Sequence, residues 1–262
     1  MTEFAPAPVA IMPGLDPDRI STWIFDLDNT LYPASCQLFN QIDMRMSTFI
    51  ARHFDLDFAA ARRKQKAYFR EYGTTLRGLM QEHHLDPVPF LEYVHDIDLS
   101  PVVANPTLAT ALSRLPGRKV IFTNGSRHHA ERVLDRLEIS AAFSAIFDIV
   151  CADYIPKPDP RAYDRLLKTL AIRPARACMV EDIARNLAPA RAWGMTTVWL
   201  QGEPFGRPRD DEQAVWQAID HVISDLPDWL TTLAHLPRRA AFPQRPGWQT
   251  GWPLPPGQNG CG

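Results

Sequence analysis

Four short polar clusters, each behind an apolar run, carry the chemistry open to this chain. The first is Asp26 and Asp28 in WIFDLDNTLYP, residues 23–33. Residues two apart on an extended strand point the same way, so both carboxylates can face one site. They repel each other unless a cation or a proton lies between them. Mg²⁺ suits the place, because it takes a few carboxylates and completes its octahedron with water and phosphate oxygens. The plainer alternative is a polar turn in which Asp28 or Asn29 caps the next helix. The second cluster, in KVIFTNGS, sets Thr123, Asn124 and Gly125 ahead of a helix. A hydroxyl and backbone N–H groups there suit an anion, and equally a helix cap. The third is Lys157 between the prolines of IPKPDP, either an ammonium that neutralises phosphate or carboxylate charge or a solvated surface lysine. The fourth, ACMVEDIARN, ends in Glu181 and Asp182, with Asn186 four residues after Asp182; acids in a first helical turn also serve the helix dipole. Each cluster alone has an ordinary structural explanation. Four in order, each at the end of a strand, are much harder to explain that way.

The elements that must position them follow from periodicity. The apolar runs TWIF (22–25), KVIFT (119–123), AIFDIV (145–150), ACMV (177–180) and TTVWL (196–200) alternate with helical patterns, which predicts βαβ units and a parallel sheet. Ser126 is placed to cap a helix carrying Val133, Leu134 and Leu137, and a later helix carries Tyr163, Leu166, Leu167 and Leu170. In such a sheet ligands bind at the carboxyl ends of the strands, where all four clusters fall. The segment between the first two strands is far longer than a crossover helix requires. Phe39, Ile42, Met46, Phe49 and Ile50 follow helical spacing there, and FAAARRKQKAYFREYG stops at Gly73. The expected plan is therefore an N-terminal extension (1–20), an α/β core (21–33 and 106–236), an inserted all-helical cap (34–105) and a tail rich in Pro and Gly (237–262), expected to be disordered. In the cap, Tyr72, Thr74, Thr75 and Arg77 flank the break at Gly73, where donors and a ring can meet a substrate. The structural alternative packs Tyr72 into the cap and gives Arg77 an ion pair. Phe39 and Tyr68 read as core. The doublets His83–His84 and His128–His129 do not read as metal sites, since neighbours on a helix face different ways.

Composition narrows the classes. The 262 residues include 45% hydrophobic ones, and 28 Lys plus Arg against 30 Asp plus Glu leave a net charge of -2. There is no basic field for nucleic acid or acidic membranes. Cys36, Cys151, Cys178 and Cys261 form no CxxC and no Cys/His cluster, and are expected as reduced thiols. The first residues lack the charge pattern of a signal peptide and no membrane-length apolar run follows, so a cytoplasmic location is expected. Neither GxxxxGK[ST] nor GxGxxG follows a strand, which sets aside P-loop ATPases and dinucleotide oxidoreductases. The oligomeric state is not legible.

Taken together, FDLDNT, TN, KP and VEDIARN resemble the four motifs of the haloacid dehalogenase superfamily of phosphotransferases, over about residues 23–200. The resemblance implies a Rossmann-like core with a helical cap inserted between the first two motifs. It implies that Asp26 is the nucleophile, forming an aspartyl-phosphate, and that Asp28 is the general acid for the leaving alcohol and then the base for the hydrolytic water. Thr123 and the Asn124 backbone would hold phosphoryl oxygens and Lys157 would orient Asp26 and offset charge. Mg²⁺ would be held by the Asp26 carboxylate, the Asp28 carbonyl and Asp182. Superfamily members that displace halide lack an acid at the equivalent of Asp28, so its presence favours phosphate esters. The cap, with EYGTTLRGLMQEHHLDPVPFLEYVHDIDLS, is similar to the branch named pyrimidine 5′-nucleotidases. Substrates such as UMP and CMP are thereby expected, with a sugar phosphate or phosphoglycolate as the alternative. A haloacid dehalogenase or a noncatalytic binding module ranks lower.

Overall fold

The structure, a computed structural model, describes residues 15–202, 208–209 and 212–235. The expected tail at 237–262 and most of the extension at 1–20 lie outside the described residues. In chain order the elements are β1 (Thr22–Phe25), α1 (Leu38–Phe54), α2 (Phe58–Tyr72), α3 (Thr75–His83), α4 (Pro87–His95), α5 (Pro106–Arg114), β2 (Arg118–Phe122), α6 (Arg127–Arg136), β3 (Ala145–Phe147) and α7 (Pro160–Thr169). They continue with β4 (Ala177–Glu181), α8 (Leu187–Ala192), β5 (Thr196–Leu200), α9 (Gln213–Trp216), β6 (His221–Ile223) and α10 (Leu226–His235).

The strands form one parallel sheet in the order β3-β2-β1-β4-β5-β6. Side chains alternate across it, as the pleat requires. Trp23, Phe25, Ile121, Cys178, Val180 and Val198 pack on one face, and Ile24, Val120, Phe122, Met179 and Trp199 on the other. The four residues of β1 are all buried, which explains why TWIF reads as a continuous apolar run and not as an alternation. At about 1.5–3 kcal/mol for each large apolar side chain, this central strand anchors the sheet. Trp23 Nε1 donates to the Pro116 carbonyl at 2.7 Å, and its ring meets Trp229 of α10 edge-on.

Helices α1 to α4 make the insertion all helical. Each boundary has a local cause. Asp57 caps α2 by accepting from Ala60 N, and the helix ends at Gly73 with φ 84°, a conformation glycine adopts without strain. Thr74 accepts from Arg77 N to start α3 one residue later. Asp86 followed by Pro87 starts α4. Close approach of α3 to α2 depends on Gly78, where a Cβ would lie 2.5 Å from Tyr68 Cγ.

Three details depart from the sequence reading. β3 stops at Phe147 because Ile149 and Val150 turn away, the Ile149 N–H bonding to the Gly125 carbonyl. β6, a three-residue edge strand, has too short a pattern to read. Cys151 is disulfide-bonded, while Cys36 and Cys178 are free, which corrects the expectation of reduced thiols throughout. No helix among the described residues is long and apolar enough to cross a membrane.

Candidate active site

The strand order reverses between β1 and β4, where an open α/β sheet forms its crevice. Backbone bonding carries the polar residues just beyond the strand tips. Asp26 N–H donates to the Val180 carbonyl at 3.0 Å, and Thr123 N–H to the Phe147 carbonyl at 3.1 Å. Asp26 therefore lies against Glu181 and Asp182 across the switch point, with Thr123 on its other flank.

Lys157 joins these groups. Its Nζ donates to Asp26 Oδ1 at 2.6 Å, to Glu181 Oε2 at 2.7 Å and to the Phe122 carbonyl at 2.9 Å. The residue is 3% exposed, so the solvated-lysine alternative does not describe it. Asn124 fixes the Lys157 backbone, accepting from its N–H at 2.8 Å and donating to its carbonyl at 3.3 Å. The Asn124 side chain is thus occupied, while its backbone N–H, like those of Leu27 and Asp28, has no partner among the described residues. The Gly125 N–H is taken by Thr123 Oγ1 at 2.9 Å. That bond uses the hydroxyl as an acceptor and leaves its proton free to donate.

Asp26, Glu181 and Asp182 are buried with carboxylate oxygens within 4.8 Å of one another. One ammonium faces three carboxylates, so if all are ionised about two negative charges remain uncompensated, a poor arrangement at low dielectric. Accordingly burial, then the Glu181 charge, push Asp26 up to about 7 in spite of Lys157. Burial and the charges of Glu181 and Asp26 raise Asp182 to about 10. A divalent cation with a preference for oxygen ligands balances this charge, and the residues present fit Mg²⁺. Glu181 is the least available of the three, since Ile183 N–H holds its second oxygen at 3.1 Å.

Asp28 has the opposite environment. Burial would raise its carboxyl, but the His129 charge and the hydrogen bonds from His129 and Tyr32 hold it down at about 2. Tyr32 Oη reaches Oδ1 at 2.5 Å and His129 Nε2 reaches the same oxygen at 2.7 Å. The residues after Asp28 form a turn with Asn29 at φ 63°. Gln37, not Asp28 or Asn29, stands at the start of α1, so the capping alternative does not describe this segment.

Above these groups is a cavity of about 380 Å³ between the strand ends and the inserted helices. Asp26, Asp28, Thr123, Asn124, Gly125, Lys157 and Asp182 line it below; Phe39, Ile42, Asp43, Gln65, Lys66, Phe69 and Thr75 are among those lining it from the insertion. Of the cap residues singled out in the sequence, Thr74 and Thr75 reach the cavity. Tyr72 does not; its hydroxyl bonds to Glu82. Arg77 pairs instead with Asp159 at 3.3 Å, a contact between the insertion and the start of α7. Phe39, expected in the core, lines the cavity and is 37% exposed. Tyr32, His95 and His129 were missed as partners of the site. The available signal was weak: Tyr32 stands four residues after Asp28, and His129 three after the Ser126 cap.

The family model for a haloacid dehalogenase-like hydrolase matches residues 20–194, well over half of the chain. The chain belongs to that family. Among curated relatives, Phosphate metabolism protein 8 of Saccharomyces cerevisiae is 29% identical over 202 residues, covering 70% of this chain and 62% of the yeast protein. The chain thus spans somewhat under two thirds of that relative's length. Glyceraldehyde 3-phosphate phosphatase of Pyrococcus furiosus is 25% identical over 82% of this chain and 93% of its own length. In fold, the chain is similar to a crystal structure of a HAD phosphatase from Thermococcus onnurineus, with a TM-score of 0.55 at 18% identity over 82% of this chain and 98% of that one. This last likeness speaks to the fold alone.

Proposed function

We propose that this haloacid dehalogenase-like hydrolase is a Mg²⁺-dependent phosphomonoesterase that acts on pyrimidine nucleoside 5′-monophosphates through an aspartyl-phosphate on Asp26. The observation that carries the reading is the buried Lys157, bonded at once to Asp26 and Glu181 beneath a cavity that also exposes Asp28. Asp26 attacks phosphorus while Lys157 holds it in place and offsets charge. The free N–H groups of Leu27, Asp28 and Asn124 and the Thr123 hydroxyl suit the phosphoryl oxygens as charge builds on them. Mg²⁺, held by Asp26, the Asp28 carbonyl and Asp182, supplies neutralisation of the phosphoryl charge. Asp28 gives a proton to the leaving alcohol; a bound phosphate dianion raises its proton affinity from the low value it has without ligand. Helices α1–α4 act as the cap that chooses the ester and excludes water. The proposed division of the chain is a core at 21–33 and 106–236 and a cap at 34–105.

Support for a pyrimidine is the mixture of surfaces on the cap side. Phe69 and Phe90 offer flat apolar area, and Asp43, Gln65 and Lys66, hydrogen-bonded to one another, line the same cavity with a polar network that could exchange partners with a ring rich in heteroatoms. A second reading, a triose or sugar phosphate, is favoured by the name of the Pyrococcus relative, whose match spans 93% of its length. Phosphate release from a panel of UMP, CMP, purine monophosphates, sugar phosphates, phosphoglycolate and glyceraldehyde 3-phosphate decides between them. Higher kcat/KM on UMP and CMP supports the pyrimidine; preference for the sugar or triose phosphates replaces it with the second reading.

A further inference from the structure

The grip on Asp28 is one-sided. Two donors converge on one oxygen, Oδ1, from residues that the motif comparison does not single out. Oδ2 has no hydrogen bond among the described residues. The donor side is itself held firmly. His129 is fully buried on α6, and its ring stacks on His95 with centroids 4.7 Å apart and planes 15° from parallel. His95 ends α4 of the insertion; its Nδ1 meets Ser126 Oγ at 3.0 Å, and its carbonyl accepts from Arg132 of α6 at 3.0 Å. His129 Nδ1 is buried without a partner. An unpartnered buried nitrogen carries a desolvation penalty that a wholly apolar side chain would not. The proton on Nε2 and its aim at Asp28 offer the explanation.

We infer that His129, assisted by Tyr32, is a positioning residue for the leaving-group proton: it fixes the Asp28 carboxyl so that the proton is carried on Oδ2. The inference rests on the proposed role of Asp28 as general acid. Both lone-pair positions of Oδ1 are filled by donors, so a proton added to Asp28 goes to Oδ2. Oδ1 accepts in either charge state of the carboxyl, so both hydrogen bonds persist through the reaction and the rotor stays set. As the P–O bond to the alcohol breaks, the electron pair goes to the ester oxygen and the Oδ2 proton follows it, leaving Asp28 ionised and its Oδ1 contacts intact. The stack on His95 links this setting to the insertion, because α4 and α6 are tied through the same two histidines and Arg132.

The test is the dependence of rate on leaving group. Wild type, His129→Leu, His129→Gln, Tyr32→Phe and Asp28→Asn, all with Mg²⁺, are compared on 2,4-dinitrophenyl, phenyl and alkyl phosphates. The readout is kcat/KM, which reports transfer to Asp26 and not the later hydrolysis. A dinitrophenolate leaves without a proton and an alkoxide does not. His129→Leu is expected to lose about 100-fold on the alkyl ester but no more than about five-fold on the dinitrophenyl ester, within the range of general acid catalysis. Tyr32→Phe is expected to tilt the same way by about ten-fold, and His129→Gln, which keeps an N–H donor, to recover most of the loss. A structural role would lower all esters alike, so equal losses across the series, or none, overturn the inference. Asp28→Asn separates the two levels. If it tilts the series and His129→Leu does not, the positioning role alone fails; if Asp28→Asn is flat, the general-acid reading fails with it. Melting curves establish folding, and should His129→Leu not fold, a flat Tyr32→Phe overturns the inference.

Discussion

Lys157→Met would test the electrostatics of the site most sharply, because it removes one charge and little volume. Lys157 is 3% exposed and lies 2.6 Å and 2.7 Å from its two carboxylates. Removing one partner of a buried ion pair costs about 3–5 kcal/mol, a large part of a typical total stability of about 5–15 kcal/mol. Asp26 already sits at about 7 with Lys157 in place. Relative to the ordinary 3.8, its ionised form is disfavoured by about 4 kcal/mol. The sign follows from the raised value: the folded chain keeps a proton that the unfolded chain gives up from about pH 4 upward, so stability falls as pH rises through about 7. Without Lys157 that proton is held more tightly still. In EDTA, urea unfolding followed by circular dichroism should therefore show a cost of about 3–5 kcal/mol at about pH 8 and a smaller one at about pH 6. A cost under about 1 kcal/mol at the higher pH, or one no smaller at the lower pH, would mean that Lys157 does not offset the Asp26 charge in the folded protein.

Three further outcomes are expected. Because burial raises both Asp26 and Asp182 and a metal ligand must be ionised, Mg²⁺ loading near neutral pH should release protons and tighten as pH rises; calorimetry in buffers of different ionisation enthalpy measures this, and no proton release would contradict the ligand set. Arg77→Ala should cost about 1 kcal/mol of stability through its half-buried pair with Asp159 and leave the order of preferred substrates unchanged, while a changed order would return Arg77 to the substrate site. Gly78→Ala should destabilise by about 1–3 kcal/mol although alanine favours helix, because the added Cβ would lie 2.5 Å from Tyr68 Cγ; a raised melting temperature would mean α2 and α3 separate freely.

What was legible in the chain was what depends on local spacing. TWIF and its fellow runs read as strands because a parallel sheet covered on both faces demands continuous apolar segments. The four polar clusters read as a site because the end of a strand is where such a sheet binds ligands. Gly73 read as a helix stop because few residues tolerate φ 84°. What stayed hidden depends on which helix face meets which neighbour. Tyr72 and Arg77 flank the break at Gly73 as the sequence reading supposed, yet Tyr72 at the end of α2 bonds to Glu82 of α3, and Arg77 on α3 turns to Asp159. Phe39 lies on an apolar stripe but faces the cavity. His129 is 101 positions from Asp28, and only the fold, which sets α6 beside the turn that follows β1, brings the two together. Spacing within one element carries no trace of such a contact.

The central claim is that Asp26 becomes phosphorylated. Mixing the Mg²⁺-loaded protein with an excess of a phosphate monoester, quenching in acid within one turnover and locating the added phosphoryl group by mass spectrometry tests it most directly. The label is expected on Asp26, absent in EDTA and absent from an Asp26→Asn variant that still folds but no longer hydrolyses the ester. Label on another residue, or hydrolysis that persists in Asp26→Asn, would contradict it.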